Sequence, residues 1–369
     1  MSDPRLYWVG FNLVKGIGSV RFRALLEAFG SAENAWHADP EALRTAGLSQ
    51  KLVENLVKVR AEKSLEKEWE KLHQQGIRVL TWENEGYPRR LMEIEQPPPV
   101  LYLRGELTVE DEWAVAVVGT RNITSYGRQV TEVIAGGLAR NGLTVVSGLA
   151  RGADSVAHQA AISAGGRTIA VLGCGVDQIY PPENRRLAEQ IINHGALISD
   201  YAPGTAPEGV NFPARNRIIS GLSLAVVVTE AGQKSGALIT ATFAAEQGRD
   251  VFAVPGNITA PHSQGTNRLI RDGAYPLLDV QGVLEVLNLT IVNEQRAARH
   301  AIPSDPVEAQ LYQSLSQEPR HVDEIRLLTG MPIEKVSATL AMMELKGMVR
   351  QVGGMNYVAV REATSEYHT

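Results

Sequence analysis

The feature that most constrains this chain is a repeated alternation across residues 105–290. Short apolar, β-branched runs fall at 114–118, 143–147, 168–172, 196–199, 224–228 and 251–254. Helical patterns fall between them at 125–140, 154–164, 183–193 and 236–247. The runs are short and largely apolar, and most are bounded by glycine, which marks strands buried on both faces, as in a parallel sheet. Parallel neighbours need crossover connections, so the expected product is an α/β, doubly wound, mostly parallel sheet with right-handed crossovers. All the loops that follow these strands then gather on one edge, where ligands bind in open α/β sheets.

Those loops are small, polar and basic. They read Gly119-Thr120-Arg121-Asn122, then Ser147-Gly148-Leu149-Ala150-Arg151-Gly152-Ala153-Asp154, Gly173-Cys174-Gly175 and Tyr180-Pro181-Pro182-Glu183-Asn184. Further on come Asn211-Phe212-Pro213-Ala214-Arg215-Asn216-Arg217, Thr229-Glu230, Lys234-Ser235-Gly236 and Val254-Pro255-Gly256-Asn257. Glycines let backbone N–H groups approach a ligand, and Arg121, Arg151, Arg215, Arg217 and Lys234 add charge. Convergence on one edge suits a phosphate-bearing ligand. The Arg215/Arg217 pair alone would serve equally as a salt-bridged loop support.

Familiar nucleotide fingerprints fail. Gly119 has no glycine two residues on, and Gln178 stands where Gly173-Cys174-Gly175 would need its third glycine. Lys234-Ser235 lacks both Walker glycines, with Val228 and Gln233 in their places. No paired-Cys or H-E-x-x-H metal spacing occurs, nor a G-x-S-x-G elbow. We expect no catalytic residue, metal or cofactor. Asp154 and His158 are spaced as an acid/base pair, but a helix-start acid and a packed histidine is the preferred reading. Glu230 is expected to hold Arg215 or Arg217.

Two smaller units flank the sheet. Residues 1–75 are helical, with Leu13-Val14-Lys15-Gly16-Ile17-Gly18-Ser19-Val20 resembling a helix-hairpin-helix turn; an ordinary αα-turn with a glycine C-cap fits as well. The sheet unit is assigned 76–290, its first part carrying strand patterns at 77–80 and 100–103 around Pro97-Pro98-Pro99. A polar linker (291–306) leads to three helical patterns (307–315, 322–328, 333–346) and a ribbon (349–352 and 357–360), a winged-helix layout over 307–361, followed by a tail at 362–369. Within 307–361 six basic residues face six acidic ones, and this neutrality favours a protein partner over duplex DNA.

Composition narrows the setting. The 369-residue chain is 44% hydrophobic and carries a net charge of −5, so any nucleic-acid site must be a local patch. No apolar run would span a bilayer, no secretory signal is evident, and the single Cys174 fits a reducing compartment. A cytoplasmic protein with no membrane partner is expected.

The motifs Gly119-Thr120-Arg121, 147–154 with His158, 211–223, 235–240 and Val254-Pro255-Gly256 together resemble the DprA/Smf family, DNA-processing protein A. The resemblance implies an extended Rossmann-like core flanked by a helix-hairpin-helix/SAM-like domain and a winged helix. It implies a homodimer that binds single-stranded DNA, protects incoming strands and loads a RecA-type recombinase during natural transformation, without being an enzyme. On this basis the DNA groove is assigned Gly119, Thr120, Arg121, Ser147, Gly148, Arg151, Phe212, Arg215, Asn216, Arg217, Lys234, Ser235 and Gly236. Arg121, Arg215, Arg217 and Lys234 would hold phosphates, and Phe212 is either a stacking face or core. Ala214 stands where some relatives are basic, which lowers the expected charge. The core also resembles, more distantly, the LOG-type phosphoribohydrolases, but Leu238 occupies their catalytic-glutamate position. A nucleotide sensor is the other alternative.

Overall fold

The computed structural model describes residues 3–289, 306–315, 319–345 and 349–359. It divides into two compact units, Met1–Val283 and Leu284–Thr369. The expected linker (291–306), apart from Pro306 that opens a helix, and the expected tail (362–369) lie outside the described residues.

The first unit is built on a nine-stranded sheet. Its strands are β1 (Arg78–Thr81), β2 (Val100–Gly105), β3 (Ala114–Val118), β4 (Thr144–Ser147), β5 (Thr168–Val171), β6 (Gly195–Ser199), β7 (Ala225–Val228), β8 (Asp250–Ala253) and β9 (Tyr275–Pro276). The order is β1-β2-β6-β5-β4-β3-β7-β8-β9. From β6 to β9 every pairing is parallel, whereas β1 and β2 add an antiparallel edge. The runs expected at 77–80 and 100–103 are therefore strands of the sheet. Their partner is β6, nearly a hundred residues downstream of β2, and no local pattern announces such a pairing. The two-residue β9 is too short for any periodicity to reveal.

The continuous apolar runs are buried on both faces, as expected. Ile169 and Val171 look toward the helices Asn211–Gly221 and Ala237–Glu246, while Ala170 and Leu172 pack against the helix Arg185–His194. Several strand side chains, Ala116, Val117 and Val227 among them, are fully inaccessible. Burying one Val or Ile contributes about 1.5–3 kcal/mol, so these central strands supply much of the driving force for folding.

The helical N-terminus shares a core with the sheet edge. Trp8, Phe11, Phe22 and Trp36 cluster with Val79, Val100 and Tyr102. Polar ties reinforce the join: the Tyr102 hydroxyl donates to Asn12 Oδ1 (3.0 Å), and Arg5 donates to the Val79 carbonyl (3.1 Å). The Arg23 guanidinium sits 5.4 Å from the Trp82 ring centre.

The second unit has helices Pro306–Ser314, Val322–Thr329 and Ile333–Leu345. They pack on a small sheet ordered β10 (Arg320–His321), β12 (Asn356–Ala359), β11 (Val349–Gln351). Leu311, Ile325, Val336, Leu340 and Met343 form its core. The expected three helices and ribbon are present, with β10 as an added short strand. Among the described residues no helix is long and apolar enough to cross a membrane.

Candidate nucleic-acid interface

The chain runs outward from β3 through β4, β5 and β6, then returns to lay β7 on the other side of β3. The loops after β3 and β7 therefore leave in opposite directions and open a crevice between them. A cleft of about 420 Å³ occupies this place. The N-terminal turns of the helices Asn211–Gly221 and Ala237–Glu246 form its walls, and neither helix has a side-chain cap at its N-cap residue. The first N–H groups of the second helix are taken up locally, Ala237 by the Ser235 hydroxyl (3.4 Å), Leu238 by the Ser235 carbonyl and Ile239 by the Gly236 carbonyl (both 3.1 Å), so it is the positive helix ends rather than free donors that favour an anionic ligand there.

The loop that carries Arg121 is clamped from two sides. Thr120 N–H donates to the Glu230 carbonyl (2.8 Å), and Ala153 N–H donates to the Thr120 carbonyl (3.1 Å). The Glu230 carboxylate, 3% exposed, accepts from Thr124 N–H (2.9 Å) and the Thr124 hydroxyl (2.5 Å). Glu230 thus anchors the β3 loop and does not hold Arg215 or Arg217, as had been expected. Gly152 follows from the same clamp: its φ is +76°, and a Cβ there would lie 2.3 Å from the Thr120 carbonyl.

Of the residues assigned from sequence, Gly119, Thr120, Arg121, Phe212, Asn216, Lys234, Ser235 and Gly236 all line the cleft. Asn216 ties its two walls together by donating to the Gly236 carbonyl (3.4 Å). Phe212 is half-buried, not core, and the Arg121 guanidinium lies 5.8 Å from its ring centre. Arg121 and Lys234 are exposed and have no carboxylate partner among the described residues. Asn122, Pro213 and Thr240 also line the cleft. Asn122 and Pro213 are neighbours of assigned residues, and Thr240 lies one helical turn beyond Gly236 in the helix Ala237–Glu246.

The remaining five assigned residues are placed otherwise than on the open surface of the cleft. Ser147 is buried and its hydroxyl donates to the Val117 carbonyl (2.7 Å), a strand-to-strand tie. Gly148 is buried as well; a Cβ there would fall 2.5 Å from Arg215 Nη2, so the glycine makes room for the guanidinium. Arg215 touches the cleft but is only 4% exposed, and it donates to the carbonyls of Gly148 (2.8 Å) and Val171. Arg217 is ion-paired with Asp200 (2.7 Å) outside the cleft lining. Arg151 is exposed but ion-paired with Glu183, also outside the cleft lining. Two unpaired cations, rather than five, face the cleft.

Behind the cleft lies a buried polar cluster. Asp154 accepts from Gly148 N–H (3.1 Å) and Ala150 N–H (3.3 Å), while Arg215 donates to the carbonyl of the same Gly148. The loop is thus held between an anion and a cation. Burial raises the Asp154 pKa, opposed by the Arg215 charge and the two N–H donors; burial lowers that of Arg215, opposed by Asp154. His158 is fully buried, in keeping with a packed histidine. Thr168 donates its hydroxyl proton to the Val145 carbonyl, so the contact at 2.7 Å is donated by His158 Nδ1–H, and Nε2 keeps an unpartnered lone pair.

Burial, aided by the nearby Arg215 charge, pushes the His158 pKa down to about 3. The unfolded chain takes up a proton near pH 6.5 that the folded chain refuses. This contribution to stability is therefore complete above about pH 6.5 and is lost as pH falls toward 3, at about 1.4 kcal/mol per pH unit. Asp154, shifted upward, has the opposite sign in the carboxylate range. Denaturant unfolding at pH 7 and pH 5 should show a loss of about 2 kcal/mol that is absent in His158→Gln. Equal losses in both proteins would exclude the histidine as its source.

Comparison with known proteins agrees with this architecture. A family model described as DNA recombination-mediator protein A matches residues 78–288, a DprA-like N-terminal HHH domain matches 5–68, and a DprA winged helix domain matches 295–355. Protein Smf of Synechocystis sp. is 38% identical, over 96% of this chain and 99% of its own length. DNA processing protein DprA of Bacillus subtilis is 41% identical, over 68% and 88%. The X-ray structure of DNA processing protein A from Streptococcus pneumoniae superposes with a TM-score of 0.67 at 35% identity, covering 76% of this chain and 97% of that one. A structure of DNA processing protein A from Helicobacter pylori, described in terms of its single-stranded DNA binding mode, gives a TM-score of 0.52 at 32% identity, covering 58% and 97%. With one family model running through the whole sheet and its cleft, and a relative matched nearly end to end, this chain belongs to the DprA/Smf family of DNA recombination-mediator proteins.

Proposed function

We propose that the switch-point cleft binds single-stranded DNA with little regard for sequence, and that the protein acts on the strand by holding it rather than by chemistry. The observation that carries this is the placement of Arg121 over the half-buried Phe212 ring, in a cleft walled by two helix N-termini. A single strand offers phosphates to cations and N–H groups, and unstacked bases to an aromatic face. A duplex hides its base faces and loses the second part. Phosphate contacts carry no sequence information. The description of the Helicobacter pylori relative as a single-stranded DNA binder supports the same reading.

Family membership extends the proposal to a homodimer that protects incoming strands in the cytoplasm and passes them to a RecA-type recombinase. The absence of chemistry is supported by Leu238 at the position of the phosphoribohydrolase carboxylate, and by Glu230, whose carboxylate already serves Thr124.

Fluorescence anisotropy of a labelled single strand of about 20 nucleotides against its duplex, over a salt series, tests the proposal. Two unpaired cations predict a slope of about −1.4 in log K against log salt for each cleft. Preference for the duplex, or a flat salt response, would refute it. Tight binding of a mononucleotide with no polynucleotide affinity would favour a nucleotide sensor, and base release from nucleotides would favour the phosphoribohydrolase reading.

A further inference from the structure

Tyr180 closes the β5 loop and has 40% of its surface exposed, with no hydrogen bond to its hydroxyl among the described residues. Its ring centre lies 5.6 Å from that of Phe212, the two planes inclined by 37°. Phe212 itself leans on Gly173, where a Cβ would come within 2.9 Å of its ring, so its position is set from below. Three residues further along the same loop, Glu183 is ion-paired with Arg151, which brings that cation to the Tyr180 loop. Arg121, Phe212 and Tyr180 thus form a run of cation, ring and ring, and the loop that carries Tyr180 also carries the partner of Arg151. Arg151 is paired with Glu183, and both are exposed, so the pair is weak and exchangeable.

We infer that the single-strand path continues out of the cleft over Tyr180, which stacks a second base, to Arg151, which takes a phosphate in exchange for Glu183. The inference rests on the single-strand reading above. Separate rings for successive bases are the usual means of holding a strand without reading it. An exposed carboxylate over the outer cation means that part of the affinity is released only when a phosphate replaces it.

The experiment uses the full chain and an oligothymidylate of about 20 nucleotides, with an abasic strand of equal length as control. Tyr180→Ala should weaken binding to the intact strand by about ten-fold, and Tyr180→Phe by no more than about two-fold. On the abasic strand Tyr180→Ala should match wild type, and its salt slope should be unchanged because no phosphate contact is lost. The loss should persist in a Phe212→Ala background, since a residue that merely props Phe212 would add nothing there. Glu183→Gln should bind more tightly and steepen the salt slope by about 0.7. Tyr180→Ala binding as wild type, an equal loss on abasic DNA, or no further loss in the Phe212→Ala background each overturns the base platform. An unchanged slope in Glu183→Gln overturns the role of Arg151. Wild-type protein that binds no single strand at all overturns the parent reading instead.

Discussion

Arg215→Ala is expected to lower folding stability by about 3–5 kcal/mol, the range found when one member of a buried charge pair is removed. The substitution leaves Asp154 buried with no cation near it and takes the donor away from the Gly148 and Val171 carbonyls. It also opens a void against Gly148, the glycine kept small by the guanidinium. Arg215→Lys should rescue little, because an ammonium lacks the planar fork that reaches both carbonyls. Arg121→Ala is the contrasting control: it removes an exposed cation–π contact, worth about 0.5–1 kcal/mol. Urea unfolding of the three variants beside wild type measures this. If Arg215→Ala lost less than about 1 kcal/mol while single-strand affinity collapsed, Arg215 would have to reach the ligand rather than the interior.

The second large effect is on binding. Arg121→Ala and Lys234→Ala should each weaken single-strand affinity by about ten- to a hundred-fold, the worth of one charge-assisted hydrogen bond. Each should also remove about 0.7 from the salt slope, leaving the double variant nearly salt-independent. Neither should shift the urea midpoint much, since both side chains are exposed. Ala214→Lys should act in the opposite direction, because position 214 is exposed beside the cleft-lining Pro213. Anisotropy titrations at several salt concentrations would show it, and an unaltered slope in the double variant would mean that the phosphates lie elsewhere.

The central sheet was legible because buried parallel strands impose a continuous apolar pattern that survives without any knowledge of pairing. The antiparallel edge was legible only as two strand-like runs, since β2 meets β6 through a register that no neighbouring residue encodes. The site divides in the same manner. Gly119-Thr120-Arg121, Phe212 and Lys234-Ser235-Gly236 do gather at one cleft, because a loop that follows a parallel strand must emerge on one edge. Ser147 and Gly148 belong to an equally polar and glycine-rich loop, yet serve the interior. Their hydrogen-bond partners, Val117 and Arg215, lie 30 and 67 residues away.

By itself the sequence determined which elements form, which edge of the sheet receives the loops, and that five cations reside in those loops or in the first turns of the helices that follow them. Only the tertiary structure decided which of those cations remains available to a ligand. Charge is spent wherever the fold brings up an acceptor: Asp200 meets Arg217 from 17 residues away, Glu183 meets Arg151 from 32, and two backbone carbonyls with Asp154 close by engage Arg215. A guanidinium's affinity for phosphate depends on what already surrounds it, and that neighbourhood is set by chain segments remote in sequence. Arg121 and Lys234 keep their charge for the ligand because, among the described residues, the fold places no carboxylate against them.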